Sequence, residues 1–150
     1  MLVQLLEKAG PALKLSFRQS EKQPFNYVGW LRTGLVNAES FEIVISVTPN
    51  ATLGFRIFPR YNKGYINVDK AKNSAGLMKL LLRLSDRSFL FWGVDKEGDV
   101  FTAYTVTLES GFPEEAIKIV LGSIVNSDKF IGEMRPFIDG TGTPAGRIAP

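Results

Sequence analysis

Apolar and polar residues alternate along several short segments of the chain. In FEIVISVT, which begins at Phe41, every second residue is apolar, as in a β-strand with one buried face. Residues 52–58 alternate again, and Pro59, which has no backbone donor, marks the predicted end of that strand. A turn at 62–64 and a short strand at 65–68 complete a predicted antiparallel meander.

Helical spacing replaces this alternation in three other segments. Residues 1–9 predict a short helix, and a longer one begins at NSAGLMKLLLRLSDRS. At 100° per residue, the apolar arc of this second helix spans about 200°, which is too wide for a helix that rests on a single sheet. We therefore expect something other than the sheet to cover Met78 and Leu82. The third helix begins near FPEEA, and its apolar stripe continues until Pro136 bends or ends it.

Two further strands are predicted at 88–94 and 100–108. The first is apolar on both faces, with Phe89 and Phe91 opposite Leu90 and Trp92, which is typical of a central strand covered on both sides. Residues 19–40 are polar and irregular, although FNYVGWL within them can add an extended piece.

The predicted order of elements is therefore α-β-β-β-α-β-β-α, an α+β fold with an antiparallel sheet of about five strands and helices packed on it. We expect a single domain over residues 1–138, in which residues 1–40 form an N-terminal extension. The segment 139–150 is rich in glycine and proline and is predicted to be a flexible tail.

Composition limits the chemistry that is available to the 150 residues. The chain has neither cysteine nor histidine, which excludes disulfides, thiolate nucleophiles and histidine-based triads. No secretion signal or membrane span is apparent, so we expect a cytoplasmic protein. Residues 1–75 hold ten basic against five acidic residues. That imbalance fits an anionic partner, and it equally fits opposite charges on surfaces that contact each other within one fold.

The most acidic segment is DKEGD, with Asp95, Glu97 and Asp99 around a glycine. Its glycine and acidic residues do not fall at the spacing of an EF-hand loop. A hairpin turn with solvated carboxylates is the favoured interpretation, and a weak cation site is the alternative. We predict no catalytic residues, no metal and no cofactor.

A basic and aromatic segment, GFRIFPRYNKGY, supplies the candidate binding residues Arg56, Arg60, Tyr61 and Lys63. Basic groups interleaved with aromatic rings are what single-stranded nucleic acid requires. The segment lacks the glycine and aromatic spacing of an RNA-recognition strand. The sequence therefore favours an ordinary basic strand face or a protein-binding face, and nucleic-acid binding is the alternative function.

An ordered series of segments resembles the YbjN family and the wider class with the type III secretion chaperone-like fold. The series is LMKLLLRLS, FLFWGVD, KEGD, VFTAYTVTL, FPEEA and SDKFIGEM. The resemblance implies a curved antiparallel sheet packed against helices, and a homodimer to whose interface the middle helix contributes, so that Met78 and Leu82 become candidates for that interface. It also implies a bacterial protein without enzymatic activity. The function expected is a protein-binding module, chaperone-like or regulatory.

Overall fold

The structure is a computed structural model that describes residues 1–108 and 111–142. Its helices are α1 (Leu2–Ala9), α2 (Ser74–Arg87), α3 (Glu114–Asn126) and α4 (Asp128–Ile138). Its strands are β1 (Leu15–Gln19), β2 (Asn26–Leu31), β3 (Ser40–Val47), β4 (Thr52–Tyr61), β5 (Gly64–Tyr65), β6 (Phe91–Val94) and β7 (Val100–Thr107). A short 3-10 turn at Pro11–Leu13 follows α1.

All seven strands belong to one curved, unclosed antiparallel sheet. The order across the sheet is β1-β2-β3-β4-β7-β6, and β5 pairs with the end of β4. The predicted α+β fold is confirmed, but the described residues form seven strands rather than about five. The two additional strands, β1 and β2, lie in the predicted N-terminal extension: β2 coincides with the extended piece expected at FNYVGWL, and β1 was not predicted.

The helices cover one face of this sheet. The inward side chains of β3, Phe41, Ile43 and Ile45, are completely buried. They share one hydrophobic core with the buried faces of all four helices, and Leu2 and Leu6 of α1 belong to that core as well. Burying a large aliphatic or aromatic side chain contributes about 1.5–3 kcal/mol, so this layer is the main source of stability. No described helix packs on the opposite face, which we call the outer face.

A glycine explains why β2 is hard to recognise in the sequence. Gly29 of β2 pairs with Phe17 of β1, and the Phe17 ring occupies the space that a β-carbon at Gly29 would need. The Phe17 ring of β1 therefore fills the space on the sheet that a side chain at Gly29 would otherwise occupy. The apolar alternation of β2 is interrupted at that point, although its backbone pairs with β3 along its whole length.

Three local predictions are corrected. The strand β6 lies at the edge of the sheet rather than in its centre, and Phe89 and Phe91 are exposed. The strand β4 continues through Pro59 to Tyr61, because Pro59 lies beyond the last pair with β7 and needs no donor on that side. The last predicted helix is two helices, α3 and α4, that meet at Ser127.

A buried carboxylate holds the segment before β3 against the α3–α4 junction. Asp128 accepts hydrogen bonds from the backbone N–H groups of Val36 at 2.8 Å, Asn37 at 3.0 Å and Ala38 at 2.7 Å. The side chain of Asn37 packs so closely on Gly132 that a β-carbon there would collide with it. Of the predicted tail, residues 139–142 are described, and residues 143–150 lie outside the described residues.

Candidate functional site

The outer face of the sheet carries a row of aromatic side chains that crosses the strands. Trp30 of β2 pairs with Glu42 of β3, which pairs with Phe58 of β4. The ring centroids of Phe58 and Phe101, on β7, are 5.9 Å apart. Successive side chains of a strand point to opposite faces, so these rings project away from the helices. We call Trp30, Phe58 and Phe101 the aromatic row.

Arginines flank the aromatic row on both sides. On one side of the aromatic row, Arg18 of β1 pairs with Val28 and Val44 pairs with Arg56 of β4, so the two arginines belong to the same neighbouring cross-strand row. Arg60 lies on β4 on the other side of the aromatic row, and Arg32 directly follows the end of β2. The register of the sheet thus places one pair of arginines on each side of the rings.

These arginines lie over aromatic rings. The guanidinium carbons of Arg18 and Arg32 are 5.5 and 5.4 Å from the ring centroid of Trp30, and that of Arg56 is 4.3 Å from the centroid of Phe101. Such cation–π contacts are worth about 0.5–1 kcal/mol at exposed sites. Stacking orients a guanidinium but leaves its N–H groups available, so each arginine can still donate to an anion.

One acidic side chain lies among these rows, and a tyrosine engages it. The Tyr65 hydroxyl donates to the two Glu42 carboxylate oxygens at 2.9 and 3.0 Å. Burial, and then this hydrogen bond, raise the pKa of Tyr65 above 10.0, so the phenol remains a donor at neutral pH. Arg60 lies over the Tyr65 ring at 4.9 Å. Within the described residues, none of the four arginines forms an ion pair.

The outer face is concave where β3, β4 and β7 meet. A cavity of about 460 Å³ lies there, and its wall includes Arg56, Phe58 and Val44. Asn26 and Gln23 border its other end. A cavity of this size is within the range of small-ligand sites, and its wall provides both charge and a ring.

The structure brings only part of the predicted binding set together. Arg56 and Arg60 both lie on the outer face, four residues apart on β4. Tyr61 points to the inner side, where its hydroxyl donates to Asp139 at 2.6 Å. Lys63 lies in the turn between β4 and β5, and its backbone N–H donates to a carboxylate oxygen of Glu39 at 2.9 Å.

Sequence reasoning missed Arg18, Arg32 and Trp30. They come from β1 and β2, which were not predicted as paired strands, and they meet Arg56 only through the register of four strands. A hairpin turn between residues 19 and 26 places Arg18, Trp30 and Arg32 on the same face of the sheet. Their spacing in the sequence does not indicate this unless that turn is already assumed.

The acidic segment forms the turn between β6 and β7. One carboxylate oxygen of Asp95 accepts from the backbone N–H groups of Glu97 and Asp99, both at 2.9 Å. Asp99 accepts from the side-chain amide of Asn67 at 2.9 Å, and Gly98 has a φ of +85°. Two of the three carboxylates are thus occupied in shaping the turn and in docking the segment around Asn67 on it.

A second candidate surface lies on α2, beside the sheet edge. Met78 and Leu82 are 44% and 72% exposed. They share a side of the helix with Ser85, whose hydroxyl accepts from the Trp92 N–H of β6 at 2.9 Å and lies 3.1 Å from its carbonyl. Phe91, the neighbour of Trp92, is 58% exposed. Its side chain points to the outer face, opposite that of the buried Trp92, and its ring centroid is 6.2 Å from that of Phe101. We call Met78 and Leu82 the edge surface.

A third candidate is a groove of about 500 Å³ between α1 and β1. Its lining includes Val3 and Leu6 of α1 and Leu15 and Phe17 of β1. The Ser20 N–H donates to the Asn26 carbonyl, on the side of β2. The Leu15 N–H points away from β2 and donates to the Gly10 carbonyl. Since hydrogen bonds alternate along an antiparallel strand, the backbone groups of Phe17 and Gln19 face the open edge, towards the groove.

Within the described residues, no group of three or more acidic side chains could hold a metal ion. No described helix combines the length and apolar character that a membrane crossing requires.

No protein-family model and no curated protein matches the chain. Solved structures with a similar fold include YbjN from E. coli, which is described as a proposed transcription regulator. It is 15% identical, covers 89% of this chain and 88% of its own, and has a TM-score of 0.56. A chain of the ExsC–ExsE complex is 10% identical, covers 93% of this chain and 96% of its own, and has a TM-score of 0.53. The predicted fold, that of YbjN and of the secretion chaperones, is confirmed.

Proposed function

We propose that the protein is a non-enzymatic protein-binding module, chaperone-like or regulatory, that acts as a homodimer in the bacterial cytoplasm. The observation that carries partner binding is the groove between α1 and the open edge of β1. An extended partner segment can pair with the backbone groups of Phe17 and Gln19. Its alternate side chains then enter the apolar groove, a mode of recognition that exposed sheet edges favour.

The comparisons support this proposal at the level of fold. ExsC–ExsE is a complex of two proteins, and YbjN is described as a proposed regulator, so neither description names an enzyme. The absence of histidine and cysteine from the sequence removes two of the commonest catalytic groups. Protein binding requires neither of them.

The homodimer rests on the edge surface. Leu82 exposes a large apolar side chain in the middle of an amphipathic helix, one turn from Met78. A twofold axis near Leu82 would bring the same residues of two copies together, as a symmetric dimer interface requires. Contact between the two helices would remove from water the apolar surface that the sheet leaves uncovered.

Partner binding is tested by selecting peptides from a random displayed library on the purified protein. We expect selected peptides with apolar residues at alternating positions, and we expect Val3→Glu to weaken their binding by at least tenfold. Val36→Glu is the matched control, because Val36 is 88% exposed and does not line the groove. Selected peptides that bind both variants as tightly as the natural protein would refute the groove as the binding site.

The dimer is tested by comparing Leu82→Asp with Val36→Asp in light scattering at micromolar concentration. We expect Leu82→Asp to scatter as a monomer and Val36→Asp to keep the mass of the natural protein. If Leu82→Asp keeps the mass of a dimer, the edge surface is not the interface.

A further inference from the structure

The outer face carries an excess of positive charge. It holds Arg18, Arg32, Arg56 and Arg60 against the single acid Glu42. The chain has 18 basic and 15 acidic residues, so the remaining basic and acidic residues are equal in number. The local excess of +3 on this face equals the net charge of the chain, and the face is open to solvent because every described helix packs on the opposite face.

The geometry of this face points to a linear anion with stackable rings. Arg56 and Arg60 are four residues apart on β4, which separates their rows by roughly 13 Å. The aromatic row lies between them. A ligand that follows the aromatic row across the strands would meet Trp30 and Phe58, with Glu42 between them held by the Tyr65 hydroxyl, and arginine N–H groups on both sides.

We propose that the outer face binds single-stranded nucleic acid, without sequence specificity, along the aromatic row. Phosphates would accept from Arg18 and Arg56 on one side and from Arg32 and Arg60 on the other. Bases would stack on Trp30, on Phe58 or on the stacked guanidinium planes. Phe101 is 7% exposed and packs against Phe58 and Arg56, so it supports this surface from within. Arg18 also lines the groove, whereas Arg32, Arg56 and Arg60 do not, so Arg18 alone of the four arginines is shared with the proposed partner-binding site.

Two other anions fit less of the surface. An acidic peptide would pair with the arginines but leave the aromatic row unused. A duplex hides the faces of its bases in its own stack and would contact the face through phosphates alone. Single-stranded nucleic acid uses both the rings and the charges.

The test is a titration of a fluorescein-labelled oligo(dT) 20-mer, followed by anisotropy at 50–200 mM salt. Four phosphate contacts predict a slope of log K against log salt of about −2.8, which weakens binding roughly 50-fold across that range. Arg56→Gln/Arg60→Gln, which changes no residue of the groove, should reduce the slope to about −1.4. The matched control is Lys79→Gln/Arg83→Gln, which removes two exposed charges from α2 and should leave the slope unchanged.

Tryptophan fluorescence provides a second measurement on the natural protein. Trp92 is buried, so quenching by the oligonucleotide reports on Trp30. We expect quenching with oligo(dT) and none with an oligoglutamate peptide of equal charge. The proposal is overturned if oligo(dT) does not bind at 50 mM salt, or if the two arginine substitutions change nothing. It is also overturned if the peptide or a duplex of equal charge competes as well as oligo(dT).

Discussion

Replacement of Asp128 by alanine tests how the chain holds the connection that precedes β3. The carboxylate accepts from three consecutive backbone N–H groups, of Val36, Asn37 and Ala38. Asp128 is 6% exposed and Ala38 is 8% exposed, whereas Val36 is open to water. Removal of the carboxylate therefore leaves the Ala38 N–H without a partner, while the Val36 N–H can turn to solvent.

The expected cost follows from these contacts. A hydrogen bond to a charged group contributes about 1.5–3 kcal/mol, and a buried donor left unpaired costs about 1–3 kcal/mol. Because three donors share two oxygens and one of them can be hydrated, we expect Asp128→Ala to lower the free energy of unfolding by about 3–5 kcal/mol. Asp128→Asn keeps one acceptor oxygen in place, and we expect it to lose about 1–2 kcal/mol.

Urea unfolding, followed by far-UV circular dichroism at equal protein concentration, measures this loss. With a slope of about 2 kcal/mol per molar urea, the midpoint of Asp128→Ala should fall by roughly 2 M while the slope stays constant. Asp86→Ala is the control, because it removes an exposed carboxylate from α2. The reasoning is refuted if Asp128→Ala loses less than about 1 kcal/mol, or no more than Asp86→Ala.

Three other substitutions give sharp expectations. Ser85→Ala removes the hydroxyl that accepts from the Trp92 backbone N–H at the sheet edge. We expect the free energy of unfolding in urea to fall by about 1–2 kcal/mol and the Trp92 amide to exchange its hydrogen faster. Unchanged exchange of that amide would contradict this expectation. Hydrogen bonds from Thr141 and then from Tyr61 lower the pKa of Asp139 from 3.8 to about 2, so its carboxylate stabilises the fold above pH 4 and loses that effect between about pH 4 and 2. Asp139→Asn should flatten the stability profile in that window only, as acid titrations of the two proteins would reveal. Leu82→Asp should change the stability of the isolated protomer by less than about 0.5 kcal/mol, since Leu82 is exposed, and a larger loss in unfolding at dilute concentration would mean that it packs internally.

The sequence predicted the elements whose apolar pattern is complete. The inward residues of β3 and the four buried leucines of α2 follow the periods of a strand and a helix, and both elements lie where they were predicted. Asn73 caps the start of α2, where its side chain accepts from the Gly76 N–H at 2.9 Å.

The remaining elements depend on contacts that are distant in the sequence. Gly29 interrupts the pattern of β2 because Phe17 fills its place, and that pairing is not visible before the strands are aligned. Phe91 made β6 look central, since apolar residues on both faces cannot reveal whether the covering surface belongs to the same chain. The apolar stripe continues from α3 into α4, so the break at Ser127 left no trace in the periodicity, and Asp128 gave no sign of its partners near Val36.

The candidate surfaces divide in the same way. Arg56 and Arg60 were predicted because basic and aromatic residues interleave in one continuous segment of the sequence. Arg18 and Arg32 were not, because they reach the same face only through the register of β1 and β2. The exposure of Met78 and Leu82 agrees with the prediction that the sheet does not cover them, since the width of a helical apolar arc can be measured in the sequence alone.

The central claim, a homodimeric protein-binding module, is tested most directly by the mass of the natural protein in solution. The protomer has a mass of 16.6 kDa. Sedimentation equilibrium at about 10–50 µM should give roughly 33 kDa, with dissociation on dilution described by a single monomer–dimer equilibrium. A mass of one protomer throughout that range would contradict the account.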